Sequence, residues 1–170
     1  RKQSEAALQE QAAFLQLAYE AAALGIWRND LESGEVIFDA RSQDHYGFAV
    51  PRVRLADVMA HVHSEDTGRL QREIELATNS ASEGRFATEY RVIHPDSSLH
   101  WLLVHVRVVF AGEGDGRRAV VGYGTSQDIT AQKLVDEQLR LRSEELARIV
   151  DMLPSAIWIA DDPECMHVRG

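Results

Sequence analysis

The sequence predicts an α+β fold: a five-stranded antiparallel sheet interleaved with short helices, with a longer helix of coiled-coil spacing at either end. Three observations carry this. Glu89 to Thr130 reads as strand, turn, strand, loop and strand; Gly25 to Ala40 reads as a separate tight hairpin; and apolar residues recur at a 4-3 spacing both before Gly25 and after Thr130. Alternation with period 2 marks strands, and a 3.5-residue period marks a helical seam.

Residues 4 to 24 read as a helix. Ser4 can cap it, Ala and Leu dominate, Leu8, Ala12, Leu15, Tyr19 and Ala22 keep the 4-3 spacing, and Gly25 closes it. Gly25 to Leu31 and Glu35 to Ala40 are short strands joined by Glu32-Ser33-Gly34. Ser42 to Phe48 and Leu55 to His61 read as short helices separated by Pro51. Ser64-Glu65-Asp66 opens a helix to about Asn79, with Ser64 as N-cap and both acids in the first turn, where the dipole favours them. Leu70, Ile74 and Ala77 form its apolar face.

Arg85 to His94 is a strand with Phe86, Thr88, Tyr90 and Val92 on one side. Pro95-Asp96-Ser97-Ser98 is a turn, and Leu99 to Phe110 is too apolar for a solvated strand, so it is a buried arm. Residues 111 to 116 form a loop whose glycines, Gly112, Gly114 and Gly116, lack the Lys-Ser or Lys-Thr and the helix of a phosphate cradle. Ala119 to Ser126 returns as the last strand, where Gly122 and Gly124 let another backbone or a helix come close. Folding the loop about Gly114 pairs residues whose numbers sum to roughly 228, which sets Asp128 opposite His100. A carboxylate neighbour favours the charged imidazole, so this end of the sheet is expected to respond to pH near neutrality. Glu89 and Arg91 share a strand face, suited either to a polar ligand or to a cross-strand ion pair involving Arg107.

After the last strand, Ala131 to Leu153 carries Val135, Leu139, Leu146, Ile149 and Leu153 on a 4-3 spacing, with Arg142 interrupting one position. Such a helix is about 35 Å long. Thr130 suits its N-cap and Pro154 ends it. The stripe packs either on the chain's own sheet or on a second copy, and the helix length favours a homodimer. The two long helices also align without a gap at an offset of 131, Leu8 with Leu139, Leu15 with Leu146, Ile26-Trp27 with Ile157-Trp158 and Asp30 with Asp161. This suggests a tandem array in which equivalent helices enter successive domains.

With 170 residues and 45% apolar content, one good core is expected. A net charge of −9 argues against nucleic acid and against an anionic membrane surface. There is no run of about 18 apolar residues and no secretory signal, so no membrane span is expected in this stretch. One cysteine fits a reducing compartment. A cytoplasmic location follows, with a parent protein free to be membrane-associated.

Glu89-Tyr90-Arg91, Pro95-Asp96-Ser97-Ser98-Leu99-His100-Trp101, and Gly122 through Asp128-Ile129-Thr130 and Lys133 together resemble a PAS domain of the PAS-fold-3 type with its trailing PAC segment. The resemblance spans roughly residues 14 to 130, and Asp-Ile-Thr is its most specific part. It implies a five-stranded sheet holding small helices on one face, as in bacterial sensor histidine kinases and diguanylate cyclases. Three residues depart from the pattern: Ser64 for Pro, Ser98 for Gly and His100 for Arg. The implied domains are a linker helix (1–24), a PAS domain (25–130), a signalling helix (131–153) and the truncated start of a second PAS domain (154–170).

The expected function is a sensory module that dimerises through Leu8, Leu15, Val135, Leu139, Leu146, Ile149 and Leu153. It relays a signal through His100, Trp101, Asp128, Ile129 and Thr130 toward adjacent PAS and output domains, such as a histidine kinase. The alternatives are a passive dimerising spacer of a diguanylate cyclase and a small metal-dependent enzyme built on His61, His63, Glu65 and Asp66. No catalytic residue, metal or cofactor is expected. The resemblance places a haem ligand on the long helix, but residues 67 to 79 hold no histidine, leaving only His61, His63 or His105. A photoactive flavin needs a cysteine beside it, and Cys165 lies beyond the domain. A small organic ligand, or simply a packed core, is expected among Trp27, Phe38, Tyr46, Leu70, Ile74, Tyr90, Leu102 and Tyr123.

Overall fold

A computed structural model describes residues 2–152, 159–160 and 168–169 of the chain. It divides into two compact units, Arg1–Ala131 and Gln132–Gly170.

The first unit opens with α1 (Lys2–Ala21), followed by β1 (Gly25–Asp30), β2 (Glu35–Phe38), α2 (Ala40–Tyr46), β3 (Arg52–Arg54), α3 (Leu55–His61), α4 (Ser64–Thr78), β4 (Arg85–Ile93), β5 (Leu99–Ala111) and β6 (Arg118–Asp128). The strands form one antiparallel sheet in the order β3-β2-β1-β6-β5-β4. Alternation along the strands turns Phe38, Tyr90, Val92, Leu102 and Val104 to one face, where they pack with Tyr46 of α2, Val58 of α3 and Leu70 of α4. The helices thus cover one side of the sheet and enclose the core there.

The sheet has six strands, one more than expected. Arg52–Arg54 adds to the edge beside β2, with Val53 opposite Val36. Three residues flanked by Pro51 and a helix are too few for alternation to show in the sequence. Helix ends also shift by up to three residues, α1 ending at Ala21. Ala23, with φ 52°, closes α1 in the left-handed region where glycine was anticipated. Gly25 instead begins β1, where a Cβ would lie 2.5 Å from Ser42 Oγ of α2. His63, through a side chain that accepts from the Glu65 amide, is the N-cap of α4, and Ser64 is its first helical residue.

The β5–β6 register differs from the expected one by two. Leu102 lies opposite Asp128 and Val109 opposite Val121, with an irregularity between Val109 and Phe110 that absorbs one residue. His100 is therefore the diagonal neighbour of Asp128 on the same face, not its direct partner.

Helix α5 (Thr130–Met152) begins at the end of the first unit and runs into the second. None of its residues is buried, and Val135, Leu139, Leu146 and Ile149 are each exposed by half or more. Arg140 pairs with Glu137 and Glu144 at 2.6 Å each, one turn before and after it. Ile159–Ala160 pairs with Val168–Arg169 in a short antiparallel ladder. Leu153 and, apart from those four residues, the expected second-domain segment 154–170 lie outside the described residues. Among the described residues, no helix is long and apolar enough to cross a membrane.

Candidate functional site

The end of β6, the start of α5 and the β4–β5 turn meet in one hydrogen-bonded cluster. Asp128 Oδ1 accepts from the Thr130 amide (2.8 Å) and hydroxyl (2.5 Å), while Asp128 Oδ2 meets His100 Nδ1 at 2.8 Å. The Thr130 hydroxyl in turn accepts from the Trp101 amide at 2.9 Å, and the Ile129 amide donates to the Trp101 carbonyl at 2.9 Å. Thr130 was expected to cap the exit helix with its hydroxyl; that hydroxyl faces β5 instead, and Asp128 takes the amide. Burial raises the Asp128 carboxyl, but the hydrogen bonds from Thr130 and His100 outweigh it and hold it below its ordinary value.

On the turn side, Asp96 Oδ1 accepts from the Ser98 amide (2.9 Å) and hydroxyl (2.6 Å), and Ser98 Oγ lies 3.0 Å from His100 Nε2. His94 stacks on His100 with centroids 3.9 Å apart, and its Nε2 donates to the His45 carbonyl at 3.0 Å. On the helix-covered face, the buried His45 bonds Ser126 Oγ at 2.9 Å, and burial pushes its ring below the ordinary histidine value.

A second polar cluster clamps α4 to the sheet. Asp66 Oδ2 accepts from the Arg91 amide and Nε, both at 2.9 Å, and Oδ1 accepts from Nη2 at 3.0 Å. Glu65 adds a 2.8 Å contact, and the guanidinium lies 5.3 Å from the Trp101 ring centroid. Arg91 is thus held by α4, and Arg107, anticipated in a cross-strand ion pair with this strand face, lies opposite Arg85, with Leu103 opposite Glu89.

Between the helices and the sheet is a cavity of about 70 Å³ lined by Trp27, Asn29, Phe38, Tyr46, Leu70, Ile74, Tyr90, Val104 and Gly122, among others. Trp27 Nε1 and Asn29 Oδ1 are buried there without a hydrogen-bond partner. Tyr46 and Tyr90 share a 2.5 Å bond between their hydroxyls. Burial drives both phenols up, Tyr90 to about 12. The pair is therefore neutral across the physiological range, a fixed donor–acceptor bond in an otherwise apolar wall.

The family model described as PAS fold matches residues 35–122, half of the chain. This chain belongs to the PAS family. Its fold is that of a sensory box histidine kinase/response regulator from Burkholderia thailandensis (TM-score 0.64, 20% identity, covering 79% of this chain and 98% of that one). Also similar are the N-terminal domain of a diguanylate cyclase with PAS/PAC sensor from Marinobacter aquaeolei (0.53, 16%, 65% and 98%) and a PAS domain from Colwellia psychrerythraea (0.50, 22%, 73% and 98%). No curated protein matches the chain.

Within this PAS domain the five expected relay residues, His100, Trp101, Asp128, Ile129 and Thr130, come together. Of the eight expected pocket residues, six line the cavity. Leu102 is fully buried but belongs to the core beside it, under Asp128. Tyr123 points the other way and is 48% exposed, because the even-numbered positions of β6, Gly122, Gly124 and Ser126, take the inner face. Close approach at Gly124 comes from the Trp27 indole: a Cβ there would overlap ring carbon Cζ2. The histidine and acid cluster of the metal-enzyme alternative is dispersed. His61 bonds the Tyr46 carbonyl at 3.2 Å and stacks on Phe48, His63 caps α4, and Asp66 holds Arg91. Among the described residues, no group of His, Cys, Asp and Glu is placed to hold a metal ion. The sequence reading missed His94, Ser98 and His45. Only Ser98 carried a signal, as a departure from the PAS pattern.

Proposed function

We propose that this PAS domain is a sensory and coupling module that dimerises through its flanking helices and passes a bias from the sheet into α5. The output domain, a histidine kinase in the favoured reading, lies elsewhere in the parent protein, and the module itself performs no catalysis. The observation that supports the relay is the loop of hydrogen bonds closing Trp101, Asp128 and Thr130, so that β5 cannot shift without pulling on the first turn of α5. A two-state helical seam downstream could convert that pull into a change of register or splay.

Dimerisation is supported by two uncovered apolar seams, Leu8 and Leu15 on α1 and Val135, Leu139, Leu146 and Ile149 on α5. The 70 Å³ cavity holds about two water-sized molecules, well short of a drug-sized ligand. Its unpartnered donor at Trp27 and acceptor at Asn29 suit a very small polar occupant. A cytoplasmic location and an adjacent PAS domain remain parts of this reading. Sedimentation of the whole chain tests the dimer: twice the 19.1 kDa chain mass is expected. Leu139→Glu with Leu146→Glu should return it to the monomer. A monomeric parent chain ends the proposal.

A further inference from the structure

The charge state of His100 follows from counting protons along its contacts. Its Nδ1 faces an ionised carboxylate, Asp128 Oδ2, which only accepts, so Nδ1 carries a proton. Its Nε2 faces Ser98 Oγ. The one hydroxyl proton of Ser98 is directed to Asp96 Oδ1 at 2.6 Å, a second acceptor-only group. Ser98 must therefore accept from His100, so Nε2 carries a proton as well. The geometry is satisfied only by the doubly protonated, cationic ring.

We propose that His100 is a proton-operated bridge between the β4–β5 turn and the start of α5, joining both while charged and obliged to release one when neutral. A neutral ring keeps a single N–H. If Nδ1 retains it, Ser98 must swing its proton from Asp96 to Nε2 and the turn loses its side-chain bond. If Nε2 retains it, Nδ1 presents a lone pair to Asp128, which then loses its third donor beside Thr130.

The neighbours define the range. His94 and Asp96 from the turn and Asp128 from β6 face the ring, and beyond Asp128 stands His45 of α2, itself near Asp39, Arg41 and Asp44. His94 already donates from Nε2 to a carbonyl, so a proton on its Nδ1 would place two cations with centroids 3.9 Å apart. The side chain of His100 is 27% exposed, enough for the proton to exchange with solvent.

This inference rests on the relay reading only in making the start of α5 worth moving; the bridge itself is tested locally. A pH titration of the whole chain by NMR should follow the His100 ring together with the Trp101 and Thr130 amides. All three are expected to change with one common midpoint. In His100→Gln, which has no ring to titrate, the step should vanish from both amides. In Ser98→Ala, which removes the partner that demands the second proton, the midpoint should move to lower pH. Amides that keep their step in His100→Gln, or a midpoint unmoved by Ser98→Ala, would overturn the bridge while leaving the dimer and relay untouched.

Discussion

Replacing Asp66 by alanine is expected to destabilise the domain by about 3 kcal/mol, lowering Tm by about 6–12 °C. The carboxylate is 11% exposed and satisfies the Arg91 amide and two guanidinium nitrogens, so its removal leaves a side chain that is itself only 20% exposed with Glu65 as its remaining carboxylate. Breaking one side of such a pair costs more than the pair contributes, because the remaining charge stays desolvated. The pH dependence has a definite sign. Arg91 holds the Asp66 carboxyl below its ordinary value, so this contribution is present above the unfolded-state value and is lost as pH falls below about 4. The alanine variant should accordingly lose less stability than the parent between neutral and acid pH. Urea unfolding at several pH values measures both effects. A loss under about 0.5 kcal/mol, typical of a solvated pair, would show that the clamp is ornamental.

Gly124→Ala should cost about 3 kcal/mol by a different route, overpacking. The added methyl would overlap the Trp27 indole, which lies across the strand pair and forms part of the cavity wall. The indole packs against the buried core beside Phe38, so any shift that relieves the overlap must come at the expense of those contacts or of the cavity. A double-mutant cycle identifies the cause: Gly124→Ala combined with Trp27→Leu should be less destabilised than the sum of the single variants, because the smaller side chain leaves room for the methyl. Additive losses would place the cost in the strand backbone.

Both effects show what the sequence could and could not reveal. The meander, the first hairpin and α4 were legible because each has a period of its own and turn residues at its ends. Of the six correct lining residues, Trp27, Phe38 and Tyr90 lie on strands and Tyr46, Leu70 and Ile74 on the helices that cover them. Tyr123 misled because aromatic character suggests burial, whereas the glycines beside it, which look like strand breakers, occupy the inner face under Trp27. The β5–β6 register was off by two, one from the centre of the loop, since Ala111 pairs with Arg118, and one from the irregularity between Val109 and Phe110, which has no sequence mark. Even so, His100 and Asp128 meet, since a two-residue slip preserves the face and long side chains reach the diagonal. The clamp was half visible: Asp66 was read as a dipole-favoured acid in the first turn of α4, and Arg91 was placed on a polar strand face without its link to Asp66. Long-range polar partners depend on how helices cross the sheet, and local spacing does not encode that.

Asp128 is the residue whose hydrogen bonds to His100 and Thr130 tie the sheet to the start of α5. Spin labels at Gln138→Cys, in a Cys165→Ser background, would report by pulsed electron resonance the separation of the two α5 helices in the proposed dimer. Losing the Asp128 hydrogen bonds should cost the domain about 1 kcal/mol and leave it folded. Asp128→Ala is expected to shift or broaden the interhelical distance distribution while the unfolding transition of the domain persists. A distribution that superimposes on that of the parent chain would contradict the proposed relay.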